Sequence, residues 1–252
     1  MKQLSILVLL FTVLNSYAQS GTIKYTETRN LKIELSPEMQ QYAHLIPTET
    51  VNHTELLFDK GQSLYQTVEE EEKEVALQAN TQVQTISIGM GEEESVTFLD
   101  FNKKQSVLSK DLMGEIFLIK GELSAPNWKV KNEEKEILGY TCRLAEFTDK
   151  DITIKAWFTP QIAPSIGPSE YYGLPGTILE VSFSEEQLDF IIEATEVIIG
   201  ELKDNISEPT KGKKVSPEKF NEIMEKQIQM IQNMSGSGSS ESGMNVEIKI
   251  ID

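Results

Sequence analysis

The chain has 252 residues, with 23 Lys and Arg against 40 Asp and Glu, and a formal net charge of −17. So acidic a surface repels nucleic acid and anionic lipid head groups, which excludes both as expected partners. One cysteine rules out an internal disulfide, and two histidines leave little material for a histidine-based metal or nucleophile site.

Met1-Lys2-Gln3 precedes an apolar run from Leu4 to Leu14, and Ser16-Tyr17-Ala18 follows with small residues at −3 and −1 of a cut before Gln19. A positive start, a short apolar run and a small-x-small site read as a secretory signal over residues 1–18. The run is far short of the roughly 20 residues of a membrane span, and no later segment reaches that length. Residues 19–252 then suit one β-rich domain with a core large enough to stand without disulfides.

Alternating apolar and polar residues predict a strand region from Thr22 to Leu35. Ser36-Pro37-Glu38 reads as a helix start, N-cap then Pro, for a short helix ending before Pro47. Thr54 to Phe58 and Ser63 to Val68 predict a hairpin over Asp59-Lys60-Gly61-Gln62. Residues 69–95 form a solvated acidic excursion, Glu-rich at both ends, with one strand from Val83 to Ile88. Val96 to Phe101 and Ser106 to Leu108 predict a second hairpin, and Glu115 to Lys120 a further strand. Ile137 to Phe147 pairs with Ile152 to Phe158 over Thr148-Asp149-Lys150-Asp151. On the first of these, Leu138, Tyr140, Cys142 and Leu144 share an apolar face, which makes Cys142 a small core residue. Thr177 to Phe183 and Phe190 to Ile199 close the series. Ser216-Pro217-Glu218 opens an amphipathic helix whose face is Phe220, Ile223, Met224, Gln227, Ile231 and Met234. Residues 235–243 are a Gly/Ser linker, and Asn245 to Asp252 alternates as a strand that docks back on the sheet. Hairpin spacing argues for an antiparallel meander, so the expected class is α+β, mainly β. It is a curved, half-barrel-like sheet with a C-terminal helix on one face.

The densest cluster of conformationally special residues is Tyr171-Tyr172-Gly173-Leu174-Pro175-Gly176 before the strand from Thr177. Gly tolerates positive φ and Pro fixes φ, so this segment dictates a chain path. Trp157-Phe158-Thr159-Pro160 precedes it, and Pro164, Gly167 and Pro168 forbid regular structure between. An ordered loop with Trp157, Tyr171 and Tyr172 near one another is expected. Such rings either cap a core or line a ligand mouth, and packing is the commoner use.

Pro126-Asn127-Trp128-Lys129-Val130, Lys135 to Ala145, Ala156-Trp157-Phe158-Thr159-Pro160-Gln161-Ile162, Gly167-Pro168 and Gly173-Leu174-Pro175-Gly176-Thr177-Ile178-Leu179-Glu180 follow one another in a fixed order. In that order and spacing the chain resembles the GLPGLI family of exported Bacteroidota proteins of unknown function, with Thr177 where the family name has Leu. The resemblance covers Pro126 to Val181 and implies a periplasmic or outer-membrane-associated location. It carries over no catalytic residue.

The residues themselves supply no catalytic, cofactor or metal set. G-x-S-x-G, C-x-x-C, H-E-x-x-H and phosphate-binding Gly loops do not occur. His44 and His53 read as structural. Three function classes remain. The favoured one is a non-enzymatic binder of an apolar molecule or of an envelope protein. The others are a hydrolase using paired carboxylates, with Glu170 and Glu180 flanking the loop, and a structural accessory of an outer-membrane complex.

Overall fold

A computed structural model describes residues 19–32, 48–68, 95–112, 114–202 and 205–236. The signal sequence, the helix from Ser36, the strand Val83 to Ile88, the C-terminal strand and most of the Gly/Ser linker lie outside them. Twelve strands and one helix account for nearly all of the described regular structure: β1 Gly21–Leu31, β2 Glu49–Asp59, β3 Gln62–Thr67, β4 Val96–Asp100, β5 Gln105–Leu112, β6 Glu115–Glu122, β7 Lys129–Ile137, β8 Tyr140–Asp149, β9 Ile152–Thr159, β10 Thr177–Ser184, β11 Leu188–Ile199, β12 Lys213–Val215 and α1 Pro217–Gly236.

The strands form one open, curved sheet in the order β12-β6-β5-β4-β3-β2-β1-β11-β10-β9-β8-β7. Every neighbouring pair is antiparallel except β12 on β6. The expected meander is therefore two meanders, β1 to β6 and β7 to β11. They are joined where β1 pairs with β11 over its whole length, Gly21 opposite Ile199 to Leu31 opposite Leu188.

Alternation divides the side chains between two faces. The inner face gathers Ile23 and Tyr25 of β1, Leu56 and Phe58 of β2, Tyr65 of β3, Cys142 of β8, Leu179 of β10 and Ile192 and Ala194 of β11 in one buried cluster. At its far end Leu108, Phe117 and Ile119 receive Phe220 of α1, whose ring meets Phe117 edge-on at 5.6 Å. The helix thus packs on one face as its periodicity predicts, and the backbone N–H of Lys219 bonds to the Ser216 N-cap hydroxyl at 3.2 Å. The outer face has two separate clusters. Leu57, Leu64, Phe98, Val107 and Leu118 lie under Leu202 and Ile206, and Ala145, Ile154, Ala156, Phe158, Ile178 and Val181 lie under Leu174 and Trp128. Between them, β1, β2 and β11 expose Lys24, Val51, His53, Glu193 and Glu196.

Two expectations need correction. The stretch Ile137 to Phe147 is not one strand: Leu138 and Gly139 both have positive φ, 52° and 82°, and form the two-residue turn between β7 and β8. That conformation suits Asn-Gly, so an apolar Leu conceals the turn. Leu138 is 47% exposed and leaves the apolar face to Cys142 and Leu144. Second, α1 runs through Ser235 and Gly236, the first two residues of the expected Gly/Ser linker.

The β2–β3 and β4–β5 turns are tied together by Asp100, whose side chain is 2% exposed. Its carboxylate accepts from the Gln62 amide at 2.9 Å and from the backbone N–H groups of Asn102 and Lys103 at 3.1 and 3.0 Å. The Gln62 bond first, then the backbone and ammonium of Lys103, hold its pKa down to about 2 against the opposing effect of burial. A depressed carboxylate stabilises the fold above its ordinary value of 3.8 and loses that contribution as pH falls through about 2. We expect Asp100→Ala to cost about 2 kcal/mol at pH 7 in urea titration. The difference from wild type should shrink steadily below pH 4.

Candidate functional site

The segment between β9 and β10 is the most constrained loop of the described residues. It leaves β9 at Pro160 and returns at Thr177. Ile162 and Ile166, 1% and 4% exposed, drop into the inner-face cluster, while Leu174, 1% exposed, packs on the outer face. The loop therefore wraps the end of the β9–β10 pair and seals both sides of it. Its polar groups are spent on that path. Thr177 donates its N–H to Ile162 O at 3.1 Å and its hydroxyl to Pro164 O at 2.8 Å. Ile178 N–H bonds to Ile166 O at 2.9 Å, and the Ser165 hydroxyl donates to Leu174 O at 2.6 Å. From outside the loop, Gln161 Oε1 accepts the Thr141 N–H and Trp128 Nε1 donates to Tyr172 O, both at 2.8 Å.

The glycines of the motif are required by contact. A Cβ at Gly176, φ 138°, would lie 2.1 Å from Thr159 O, and one at Gly173, φ 93°, would lie 2.7 Å from Ala125 Cβ. One at Gly167 would meet Tyr171 O at 2.5 Å. Pro175 stays exposed at the turn. The motif encodes how closely its backbone can approach its neighbours, Thr159 O at Gly176 and Ala125 Cβ at Gly173.

The three rings expected together are separate. Trp157 faces inward from β9, half-buried against the inner cluster. Tyr171 packs outward with Phe147 at 6.5 Å, beside Trp128, Ile152 and Phe183. Burial chiefly, then Glu170, pushes its phenol up to about 12. Tyr172 is 8% exposed and meets Phe101 edge-on at 5.5 Å, across from the end of β4. Its Oη has no hydrogen-bond partner among the described residues.

Sequence reading missed what surrounds Trp157. Lys135 of the terminal strand β7 points inward. Its ammonium lies 4.6 Å from the Trp157 ring centroid and 2.5 Å from Glu180 Oε2. Cys142 sits beneath, and burial raises its thiol to about 11 although Lys135 pulls the other way. It is a protonated core thiol at neutral pH, not a nucleophile. The alternation Lys-Asn-Glu-Glu-Lys-Glu in β7 carried no apolar signal for a strand, so this pairing was not legible.

No acid stands ready for catalysis among these groups. Glu180 is bound by Lys135, Glu170 is exposed, and the other buried glutamate, Glu27, pairs with Arg29 at 2.6 Å and accepts from Tyr65 Oη at 3.4 Å. Among the described residues no group of His, Cys, Asp or Glu is arranged to hold a metal ion, and no helix is long and apolar enough to cross a membrane. Two clefts, of about 450 and 540 Å³, are open and polar. One is lined by Val130 to Glu133 at the β7 edge and the other by Lys103, Lys104, Lys120 and their neighbours. Neither adjoins the loop.

An open, curved β-sheet whose inner face is closed by a Gly/Pro loop and a C-terminal helix is the class of protein these features define. Residues 145–180, which include the end of β8, the loop and the start of β10, match a family model described as a protein of unknown function (Porph_ging). No curated protein matches the chain. Two solved structures of PNGF-II, in space groups P21 and C2, superpose with TM-scores of 0.51 and 0.52 at 16% identity. They cover 82% of this chain but only 34% and 33% of theirs, so this chain spans about a third of that protein. At that identity the likeness is one of fold.

If the motif is a packing device, its loss costs stability before anything else. Gly176→Ala should destabilise by about 3 kcal/mol or more in chemical denaturation, from clash and backbone strain together. Trp157→Ala should cost about 3 kcal/mol. Lys135→Met, which keeps the stem over the ring, should cost less than Trp157→Ala.

Proposed function

We propose that the chain is an exported cell-envelope protein of the GLPGLI type that binds another envelope protein and has no enzymatic activity. The signal sequence before Gln19 and the motif order from Pro126 to Glu180 support an exported Bacteroidota protein, in the periplasm or associated with the outer membrane. The observation that carries the binding reading is the filled inner face. Ile162, Ile166 and Tyr172 of the loop and Phe220 of α1 occupy the concavity that a carrier would keep open.

A partner protein is then met on other surfaces. Both sheet edges are guarded. β12 has three residues, and β7 carries a bulge between Val130 and Glu134 and an inward-pointing Lys135. The outer stripe over β1, β2 and β11 remains, where Val51 and Ile198, 45% and 46% exposed, stand at its two ends with the Lys24–Glu196 ion pair and Glu193 between them. Exposed apolar side chains interspersed with charged ones suit a polar, non-obligate protein contact.

One observation favours a small apolar molecule instead. Among the described residues the buried Tyr172 hydroxyl is unpaired, which costs about 1–3 kcal/mol, and a ligand acceptor reaching it would recover that. A hydrolase has weaker support, since each buried carboxylate near the loop is neutralised by a cation.

Native mass spectrometry of protein taken gently from a Gram-negative periplasm, with lipid extraction of the same sample, separates the occupants. We expect the mass of the chain alone, and in-envelope crosslinks to a protein that are lost in Val51→Asp/Ile198→Asp at unchanged Tm. A stoichiometric co-purifying apolar molecule would overturn the reading in favour of a carrier.

A further inference from the structure

In three places the chain sets one of its own cations against both an aromatic ring and a carboxylate. The Lys135 ammonium lies 4.6 Å from the Trp157 ring centroid and 2.5 Å from Glu180 Oε2. Arg29 Cζ lies 5.8 Å from the Phe190 centroid, with Nη2 2.6 Å from Glu27 Oε1. The Lys213 ammonium lies 5.4 Å from the Phe117 centroid and 3.3 Å from Glu115 Oε1. Each cation gains the attraction of the ring face and of the carboxylate together.

A fourth group has rings and carboxylates without a cation over them. Trp128 meets Phe147 edge-on at 4.6 Å, and Tyr171 stands 6.5 Å from Phe147, tilted by 49°. All three rings are partly exposed, and the bond from Trp128 Nε1 to Tyr172 O holds the indole in place. Asp149 is two residues beyond Phe147 on β8, hence on the same face, opposite Ile152 of the same cluster. Glu170 adjoins Tyr171, and both carboxylates are exposed. After burial, Glu170, Glu27 and Asp149 raise the Tyr171 phenol, and no cation offsets them. A field that opposes a phenolate favours a cation. The neighbouring lysines are placed otherwise. Lys129 lies opposite Glu146, on the other face from Phe147, Lys131 is held by Glu146 at 2.8 Å, and Lys150 has a contact of its own.

We propose that Trp128, Phe147 and Tyr171, with Asp149 and Glu170, form a site for a lysine or arginine side chain of a basic protein partner. The source of that cation rests on the partner-protein reading above. The rings are largely spent on the core cluster, so they bury too little of a free small molecule, whereas a side chain carried by a partner is held by the rest of the contact. A net charge of −17 draws a basic partner at long range.

NMR titration of the purified protein with N-acetyl-arginine amide tests the site, with the neutral N-acetyl-citrulline amide as control. We expect the Trp128 indole N–H to shift and saturate with the first and not with the second. The Trp157 indole, already under Lys135, should stay. Tyr171→Leu should weaken binding about threefold, and Asp149→Asn/Glu170→Gln, at exposed positions, by about as much or more. Equal shifts from both compounds, or equal shifts at both indoles, overturn the site. In the envelope, crosslinks to a protein should fall in Asp149→Asn/Glu170→Gln at unchanged Tm. Crosslinks that persist in that variant overturn the partner side chain as occupant. A wild type without crosslinks overturns the partner reading and this occupant with it, while the titration alone decides whether a cation site exists.

Discussion

The pairing of β1 with β11 is the constraint on which the rest of the structure depends. Each meander can form from local hairpins, but neither has a complete inner face alone. Only when Gly21–Leu31 lies between Glu49–Asp59 and Leu188–Ile199 do Ile23 and Tyr25 meet Leu56, Phe58, Leu179 and Ile192 in one cluster. Tyr25 extends the join beyond its neighbours. Its hydroxyl donates to Ile178 O at 2.7 Å, two strands away, and its ring meets Tyr65 edge-on at 6.1 Å on the other side. The phenol is wholly buried and stays protonated, its pKa raised first by burial. The β1–β11 join brings together the residues furthest apart in sequence within the sheet, so its loop-closure entropy is the last to be met.

The Gly/Pro loop completes what that join begins. It threads between the faces at the end of β9 and β10, and its side chains go where a ligand would otherwise sit. Three close approaches that exclude a Cβ, at Gly167, Gly173 and Gly176, let it lie this close. The segment matched by the family model, residues 145–180, contains the whole loop together with β9. A sequence signature located in a packing device rather than in a reactive group is what a binding or structural protein would carry. The charged pair Lys135–Glu180 against Trp157 adds to this. A lysine turned inward on the last strand costs little beside a ring and a carboxylate, and it makes that edge a poor template for another strand.

Much of the sheet was legible from the chain. Regular alternation placed most of the strands, and Lys60-Gly61 and Lys150-Asp151 marked their turns openly. The helix announced itself through Ser216-Pro217 and the spacing of Phe220, Ile223 and Met224. What failed did so for physical reasons. β7 is an edge strand with both flanks wet for much of its length, so it has no apolar period to read. Leu138 occupies a turn position that sequence rules give to Asn. The ring separation followed from the alternation within β9, where Ala156 and Phe158 face out while Trp157 faces in. The loop, whose partners lie far off in sequence, at Phe101, Trp128 and Gln19, leaves no local trace of where Tyr171 and Tyr172 point.

The central claim is that the loop is part of the core rather than a lid over a site. Amide hydrogen exchange of residues 160–178, compared with that of β1, tests it most directly. If the loop is core, the Thr177 and Ile178 amides, bonded to Ile162 O and Ile166 O, exchange only through the same global opening that frees Tyr25 and Ile23. Their exchange free energies should then equal the stability found by denaturation and fall in parallel as urea is added. Exchange of the loop through a separate opening, several kcal/mol below that of β1 and insensitive to urea, would contradict the account and make the loop a gate.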